Sequence, residues 1–298
     1  MLQSKGIIIS NKSDLFTVED IETNEIVNCR SRGKFKEKKI SPLVGDFVEY
    51  SYESSSGEEG VLEEIVTRKN EIKRPKMANL TQIVLVVSMK LPKPDLLLLD
   101  KQLAFAEFNN IKPIIVLNKI DLEDNKVIDN ISKVYKKIGY EVIQTVANTG
   151  EGINKLQKLL KGNITAFSGN SGVGRSTLIN SIFSGDITKE GSISSKNKRG
   201  KNTTTSTFLY KIDKDSYVAD TPGFSTFDVN EISSEDLYKY FIEFVDEVQN
   251  CEFIGCTHVK EQSCGIKDAV SNGKISEERY NRYCKIYSEL KDREAHRW

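Results

Sequence analysis

The sequence predicts a multidomain protein in which a small β-barrel precedes an α/β domain and a C-terminal helical domain. Three patterns support this prediction. Short apolar runs alternate with polar turns over residues 1–70, strand-like runs alternate with helical ones over 71–230, and helical apolar spacing follows over 231–298. A chain of 298 residues is long enough for more than one such domain.

The composition narrows the classes of protein to consider. The chain carries 43 Lys and Arg residues and 43 Asp and Glu residues, so its net charge is zero. This balance excludes a globally basic nucleic-acid binder but leaves room for local basic patches. No apolar run approaches the roughly 18 residues of a membrane span, and residues 1–10 lack the pattern of a signal peptide. We therefore expect a cytoplasmic protein whose five cysteines are reduced thiols or metal ligands.

The N-terminal region has the strand spacing of an oligonucleotide-binding (OB-like) barrel. Its predicted strands are centred on residues 7–9, 16–18, 26–29, 47–50 and 61–62. A basic stretch lies between the third and fourth strands and contains Arg30, Arg32, Lys34, Lys36, Lys38 and Lys39. Such a loop suits contacts with nucleic-acid phosphates, although an ordinary solvated loop would have the same composition.

The central region predicts a parallel, doubly wound sheet. Its predicted strands are residues 83–87, 113–117, 142–146, 164–167 and 217–219. Its predicted helices are residues 95–109, 124–139, 152–160 and 176–183. The first strand is a continuous apolar run, as expected for a strand that is buried on both faces. In such a sheet, ligands bind at the carboxyl ends of the strands.

A phosphate-binding loop follows the fourth of these strands. The candidate phosphate ligands are Gly169, Asn170, Ser171, Gly172, Val173, Gly174, Arg175, Ser176 and Thr177. This segment fits the pattern G-x-x-x-x-G-K-[ST], except that Arg175 stands where lysine is expected. Glycines let successive backbone N–H groups wrap the phosphates, and the Ser176 hydroxyl is placed to ligate Mg²⁺. An ordinary glycine-rich turn from strand to helix is the alternative interpretation.

A second loop carries residues that recognise guanine. Asn118, Lys119 and Asp121 follow a buried strand. A carboxylate at Asp121 would accept hydrogen bonds from the guanine N1–H and 2-amino groups, a donor pair that adenine lacks. Asn118 would reach the base edge and hold neighbouring loops, and the Lys119 stem would cover the ring. A backbone N–H near Ala147, at the end of the next strand, would contact the base oxygen.

A third loop, Asp220-Thr221-Pro222-Gly223, adds ligands for the γ-phosphate end of the nucleotide. Asp220 suits Mg²⁺ through water, and the Gly223 N–H suits the γ-phosphate. The order of the loops is unusual, because Asn118 precedes Gly169, whereas in ordinary GTPases the phosphate loop comes first. Each loop needs only its own strand end, so moving the chain termini leaves the site intact. The order resembles that of the circularly permuted GTPases.

The C-terminal region combines helices with a cysteine cluster. Ser233 and Asp236 fit a capping box, and apolar residues at helical spacing follow, namely Leu237, Tyr240, Phe241, Phe244, Val245 and Val248. A second predicted helix covers residues 279–293. Between them lie Cys251, Cys256, His258 and Cys264. Three thiolates and one imidazole make a closed shell that is typical of one structural Zn²⁺. The alternative is three reduced thiols beside an incidental histidine.

Taken together, these motifs resemble the RsgA (YjeQ or YloQ) family of GTPases that depend on the small ribosomal subunit. The resemblance is carried by residues 30–35, 43–46, 68–71, 200–205, 220–224 and the segment 251–283. It implies GTP and GDP as ligands and a role in late maturation of the small (30S) subunit. It also implies hydrolysis stimulated by that subunit, and contacts of the barrel and the C-terminal region with 16S ribosomal RNA.

The hydrolytic residues depart from the expected pattern. Phe224 stands where Ras-like proteins place the glutamine that orients the attacking water. The RsgA family, which this sequence resembles, has a histidine in its G-x-H-T-T-T segment. This chain has Asn202 at that position, and an asparagine side chain cannot act as a base at neutral pH. We expect Thr204 to contact Mg²⁺ and the γ-phosphate, with Thr203 and Thr205 as alternatives. Since Arg175 is longer and more planar than lysine, we expect weak GTP affinity, slow turnover, or both.

Two classes of function therefore remain open from the sequence. The first is a GTPase whose nucleotide state times its departure from the small subunit. The second is an RNA-binding assembly module that uses GTP as a latch with little or no hydrolysis. An ATPase is disfavoured by Asp121. No pattern in the sequence demands more than a monomer.

Overall fold

The protein is described here from a computed structural model, which covers residues 2–33, 35, 40–52, 59–184, 207–220 and 229–296. The chain divides into two compact units. The first unit comprises Met1–Ile83, Asn154–Phe167 and Ile179–Ser225, and the second comprises Val84–Ile153, Ser168–Leu178 and Thr226–Trp298. Both units contain residues of the predicted central domain. The division into three domains, over 1–70, 71–230 and 231–298, remains a prediction.

Thirteen strands are formed by the described residues. They are β1 Leu2–Lys12, β2 Leu15–Asp20, β3 Ile26–Ser31, β4 Phe47–Tyr52, β5 Gly60–Ile65, β6 Glu71–Lys73, β7 Lys76–Ala78, β8 Gln82–Ser88, β9 Lys112–Asn118, β10 Glu141–Thr145, β11 Ile164–Ser168, β12 Phe208–Asp213 and β13 Ser216–Asp220. The α-helices of the described residues are α1 Leu96–Phe108, α2 Asn125–Ile138, α3 Ile153–Leu160, α4 Arg175–Ser184, α5 Gly265–Ser271 and α6 Glu277–Ala295.

The first unit contains the predicted five-stranded barrel. Its strands follow the order β1-β2-β3-β5-β4, and β1 also pairs with β4, which closes the barrel. Closure removes the exposed sheet edges that would otherwise pair with other chains. The interior is filled by alternating residues such as Ile7, Val18, Val48 and Leu62, which are fully or almost fully buried.

The same unit also contains a strand, β12, that the sequence did not predict. The strand β12 runs antiparallel to β13, whereas β11 and β13 are parallel. The central sheet is therefore mixed, and the prediction of a purely parallel sheet is wrong on this point. β12 contains only two buried residues, Leu209 and Ile212, with a charged residue between them. This pattern lacks both strict alternation and a continuous apolar run, so periodicity could not identify it.

In the second unit, the strands follow the order β10-β9-β8, and β9 and β10 are parallel. Every residue of β8 is buried, as the continuous apolar run predicts. The helix α1 begins after Asp95, whose side chain accepts a hydrogen bond from the Leu98 N–H at 2.9 Å. The helix α2 begins after Asp124 and ends at Gly139, which has the left-handed conformation favoured at helix ends.

The C-terminal part of the second unit differs in detail from the predicted amphipathic helix. Ser233 does cap a helix, because its hydroxyl accepts from the Asp236 N–H. The segment, however, is a series of 3-10 helices, Ser234–Tyr240, Ile242–Phe244 and Val248–Asn250. A 3-10 helix aligns residues three apart rather than four. Phe241 and Phe244 are accordingly buried together, whereas Val245, expected on the apolar face, is 56% exposed.

Candidate functional site

The phosphate loop joins β11 to α4. Gly169 follows the last residue of the strand, and Arg175 is the first residue of the helix. Gly169, Gly172 and Gly174 all have positive φ, which allows the chain to turn back on itself before the helix starts. The N-terminus of α4 therefore points its unpaired N–H groups into the loop, where anions are stabilised.

Asn118 holds this loop to its neighbours. Its Nδ2 donates to the Val173 carbonyl at 2.8 Å, and its Oδ1 accepts from the Thr145 hydroxyl at 3.0 Å and from the Ala147 N–H at 3.2 Å. All these atoms are buried, so each hydrogen bond replaces a costly unpaired group. Asn118 thus fastens together the ends of β9, β10 and β11, as predicted. The Ala147 N–H, predicted to contact the base oxygen, donates to Asn118 in this structure.

Lys119 and Asp121 follow at the end of β9. Lys119 adopts the left-handed conformation, with φ of 61°. Its ammonium group donates to the Leu91 carbonyl and, at 2.7 Å, to the Gly172 carbonyl in the phosphate loop. These bonds stretch the aliphatic stem of Lys119 along the phosphate loop. Asp121 lies in the short 3-10 helix Ile120–Leu122, where its carboxylate is exposed.

A cleft of about 600 Å³ lies between these loops, within the second unit. Residues predicted from the sequence line much of it, namely Asn118, Lys119, Asp121, Ala147, Asn170, Ser171, Gly172, Gly174, Arg175, Ser176 and Thr177. The base-reading residues and the phosphate loop thus share one cavity, although they are more than fifty residues apart in sequence. The volume is within the range typical of nucleotide-sized ligands.

Some predicted ligands lie elsewhere. Gly169 and Val173 line a smaller hollow behind the loop. Asn202, Thr204 and Gly223 lie outside the described residues, as do Thr203 and Thr205, and the Asp220 side chain is not described either. Their assignments remain predictions from the sequence.

Val146, at the end of a predicted strand, also lines the cleft, together with three residues that the sequence did not single out. They are Leu91, Leu122 and Asn148. Each lies just beyond a strand end or beside a predicted ligand. The rule that ligands bind at the carboxyl ends of parallel strands would have identified this neighbourhood, although not these individual side chains.

Gly174 offers a sharp test of this geometry. A Cβ atom added there would clash with Asn118 Nδ2, and φ at Gly174 is +99°. We expect Gly174→Ala to displace the Asn118 amide and to weaken binding of a guanine nucleotide at least about tenfold, since one buried hydrogen-bond group would be left unpaired. Fluorescence titration with a labelled nucleotide measures the effect. Gly139→Ala is the matched control, because Gly139 also has a positive φ, of +113°, but has open space where the Cβ would lie. Equal affinity of both variants and the unmodified protein would contradict the assignment.

The predicted metal ligands form a second cluster in the second unit. The donor atoms of Cys251, Cys256, His258 and Cys264 all lie within 4.8 Å of one another. The Cys251 and Cys264 sulfurs are 3.9 Å apart, and each is 3.5 Å from His258 Nδ1. Ligands around a tetrahedral Zn²⁺ with Zn–S bonds of about 2.3 Å are about 3.7 Å apart, so this cluster could hold a zinc ion.

The environment of His258 fixes which nitrogen faces the thiols. Nδ1 points to the cysteines, whereas Nε2 is buried with no hydrogen-bond partner among the described residues. The rings of Tyr238 and Phe244 meet the imidazole edge-on and enclose it. Burial lowers the pKa of His258, which keeps the ring neutral, and neutral imidazole is the form that binds a metal.

Comparisons with known proteins show which family this chain resembles. Residues 5–62 match the family profile described as RsgA N-terminal domain, and residues 65–230 match the profile described as RsgA GTPase. A relative from Thermotoga maritima named small ribosomal subunit biogenesis GTPase RsgA is 41% identical over 292 residues, which is 97% of each chain. A relative of the same name from Clostridium botulinum is 38% identical over 294 residues, covering 99% of this chain and all of that one.

Two solved structures have the same fold. The crystal structure of YjeQ from Thermotoga maritima is 39% identical, has a TM-score of 0.84, and covers 97% of this chain and 99% of that one. The structure of YloQ, described as a circularly permuted GTPase, is 34% identical, has a TM-score of 0.82, and covers 98% of this chain and 96% of that one. The permuted order predicted from the loops is therefore confirmed. Within the described ranges, no helix is both long enough and apolar enough to span a membrane.

Proposed function

Because this chain belongs to the RsgA family of GTPases, we propose that it binds and hydrolyses GTP during late maturation of the small (30S) ribosomal subunit, and that the subunit stimulates hydrolysis. The observation that carries this proposal is the shared cleft. Asp121 of the base-reading loop and Ser176 of the phosphate loop line the same cavity, so a single GTP would reach both.

Different residues of the cleft bind the base and the phosphates of the nucleotide. The Asp121 carboxylate accepts from the guanine N1–H and 2-amino groups, and the stretched stem of Lys119 covers one face of the ring. Asn118 acts mainly by holding the loops in register, since its amide is already bonded on both sides. The N–H groups of the glycine-rich loop and the N-terminus of α4 bind the phosphates.

The phosphate end of the cleft is the place for Mg²⁺. The Ser176 hydroxyl is the described group that would ligate the ion, while Thr204 and Asp220 complete the set on sequence grounds. When bound, Mg²⁺ neutralises charge on the β- and γ-phosphate oxygens. Asn202 replaces the family histidine in this region, and its amide would orient a water molecule by hydrogen bonding without removing a proton.

The proposed partner is the small subunit with its 16S ribosomal RNA, met by a monomer in the cytoplasm. The barrel supplies Arg30 and Arg32, of which Arg30 pairs with Glu59 and Arg32 pairs with Glu63 at 2.7 Å. The Arg30–Glu59 pair is exposed on both sides and contributes little to stability, so an RNA phosphate could replace Glu59 at low cost. A structural zinc ion bound by Cys251, Cys256, His258 and Cys264 would stabilise the C-terminal module, which comprises residues 229–296.

Steady-state phosphate release tests the activity. We expect purified small subunits to raise GTP turnover at least about tenfold, because an assembly-dependent GTPase needs its partner to complete the site. ATP in place of GTP is the control and should give no stimulated release. If GTP binds but small subunits leave turnover at its basal level, the alternative of an RNA-binding module with a GTP latch replaces the proposed GTPase.

Arg175 gives a second prediction. It lines the cleft at the position of the usual lysine, where its longer, forked guanidinium fits less closely between β- and γ-phosphates. We expect Arg175→Lys to lower KM for GTP or raise kcat, with a combined gain of about threefold to thirtyfold in kcat/KM. Lys119→Arg serves as a comparison. It replaces lysine by arginine in the loop that would bind the guanine base, and it should weaken GTP binding. Unchanged KM and kcat in Arg175→Lys would show that the protein accommodates arginine fully.

A further inference from the structure

Helix α1 lies between the phosphate loop and the C-terminal module. Its sequence, Leu96–Phe108, is mostly apolar and buries two polar side chains, Asp100 and Gln102, as expected for a helix covered from several directions. Leu97, Ala104, Phe105 and Phe108 pack into the core of the C-terminal module. All residues in this arrangement belong to the second unit.

Two polar side chains at one side of α1 hold the phosphate loop. Gln102 is buried, and its Nε2 donates to the Ser168 hydroxyl at 2.8 Å, directly before Gly169. At the start of the helix, Asp95 accepts from Asn170 Nδ2 at 3.0 Å with the carboxylate oxygen that does not cap α1. The loop that would carry the phosphates is therefore tied to α1 through Ser168, the residue just before it, and through Asn170, its second residue.

A buried charge cluster at the other side of α1 holds helix α6. Asp100 is completely buried and accepts from Arg279, Arg282 and the Tyr135 hydroxyl, the last at 2.7 Å. Arg279 is also fully buried and pairs with Glu243 as well. A buried charge that loses its partner is strongly destabilising, so α1 and α6 resist separation.

Helix α6 in turn holds the metal cluster. The Tyr280 hydroxyl donates to the His258 carbonyl at 2.7 Å, and the Tyr283 hydroxyl donates to the Thr257 carbonyl at 2.8 Å. These tyrosines lie within one turn of Arg279 and Arg282 on the same helix. Hydrogen bonds therefore join the cysteine–histidine loop to α6, buried ion pairs join α6 to α1, and a hydrogen bond joins α1 to Ser168, just before the phosphate loop.

We infer that α1 couples the two sites, so that a guanine nucleotide in the cleft slows loss of zinc from the cluster and zinc strengthens nucleotide binding. Gln102 and Asp95 act as positioning residues, since they touch the phosphate loop rather than the nucleotide. The inference rests on the proposed function, because it requires that the cleft binds GTP or GDP. Coupling between two sites is reciprocal, and typical values correspond to at least about a fivefold change in affinity.

Zinc release from the full-length, zinc-loaded protein tests the coupling. The rate is followed with a chromophoric chelator in buffer, with saturating GDP, and with ADP at the same concentration. ADP controls for direct chelation of zinc by the nucleotide. We expect GDP to slow release at least about fivefold and ADP to have no effect beyond chelation.

Three variants locate the route. Gln102→Leu removes the bond to Ser168, and Asp95→Asn keeps a good helix cap but turns a donor toward Asn170. Both should lose most of the GDP effect on zinc release. Lys101→Gln is the matched control, because it removes only the partly exposed pair between α1 and Glu289 of α6. It should keep the full effect.

The outcomes are separable. Zinc release that is unchanged by GDP, in a protein that binds GDP by fluorescence titration, would overturn the coupling and leave the proposed function standing. An equal GDP effect in Gln102→Leu, Asp95→Asn and the unmodified protein would overturn the route through α1. Failure to bind GDP or GTP at all would overturn the proposed function, and the coupling with it.

Discussion

Replacing Asp121 by asparagine is expected to weaken binding of GTP and GDP strongly and to create binding of xanthine nucleotides. In the proposed site the carboxylate would accept two hydrogen bonds from guanine, and hydrogen bonds to a charged group each contribute about 1.5–3 kcal/mol. In the variant, the amide would present a donor to the guanine 2-amino group, so that two donors meet. We expect the Kd for GDP to rise by about 10²–10³, as measured by titration with a fluorescent nucleotide.

Xanthine supplies the positive half of this test, because it carries a carbonyl where guanine has the 2-amino group. The Asp121→Asn amide can donate to that carbonyl, so the Kd for xanthosine diphosphate should fall while that for GDP rises. Asp124→Asn is the matched control: it makes the same chemical change three residues away, at the cap of α2, where asparagine is equally suitable. If Asp121→Asn and Asp124→Asn bind GDP equally well, Asp121 does not read the base.

The shared cleft was predictable because its parts obey a topological rule. Asn118 ends a strand with an apolar run over 113–117, Gly169 follows a strand whose residues are all buried, and buried parallel strands present their carboxyl ends at one edge. Sequence alone could thus bring Asp121 and Ser176 together without any knowledge of the intervening residues. A different rule predicted the cysteine–histidine cluster: three thiols and one imidazole close together in sequence are the donors that a structural zinc site requires.

The connection between the two sites was not predictable in the same way. The polar residues of helix α1 are spread around it rather than gathered on one face, so their pattern cannot say which side meets the phosphate loop and which side meets α6. The last predicted helix begins at Arg279, and the structure buries this arginine completely. A buried arginine is identified only by its partners, and Asp100 and Glu243 lie far away along the chain.

Loss of a metal ligand gives the other large expected effect. Cys264 is almost fully buried and packs in the same core as Leu237, Phe244 and Tyr283. We expect Cys264→Ser to lose bound zinc and to unfold the C-terminal module, because zinc binding in comparable structural sites contributes about 10–16 kcal/mol of apparent free energy. Zinc content by elemental analysis and limited proteolysis of the region after residue 229 measure the two consequences.

Cys284→Ser is the matched control for this variant. Cys284 lies on α6 within the same module but outside the cluster of four donors. The same exchange of sulfur for oxygen there should leave zinc content at one ion per chain and the proteolysis pattern unchanged. Because Tyr283 and Tyr280 tie α6 to the metal loop, cleavage in Cys264→Ser should extend into α6 itself. A Cys264→Ser protein that remains zinc-loaded and resistant to protease would show that the cluster is only a group of reduced thiols.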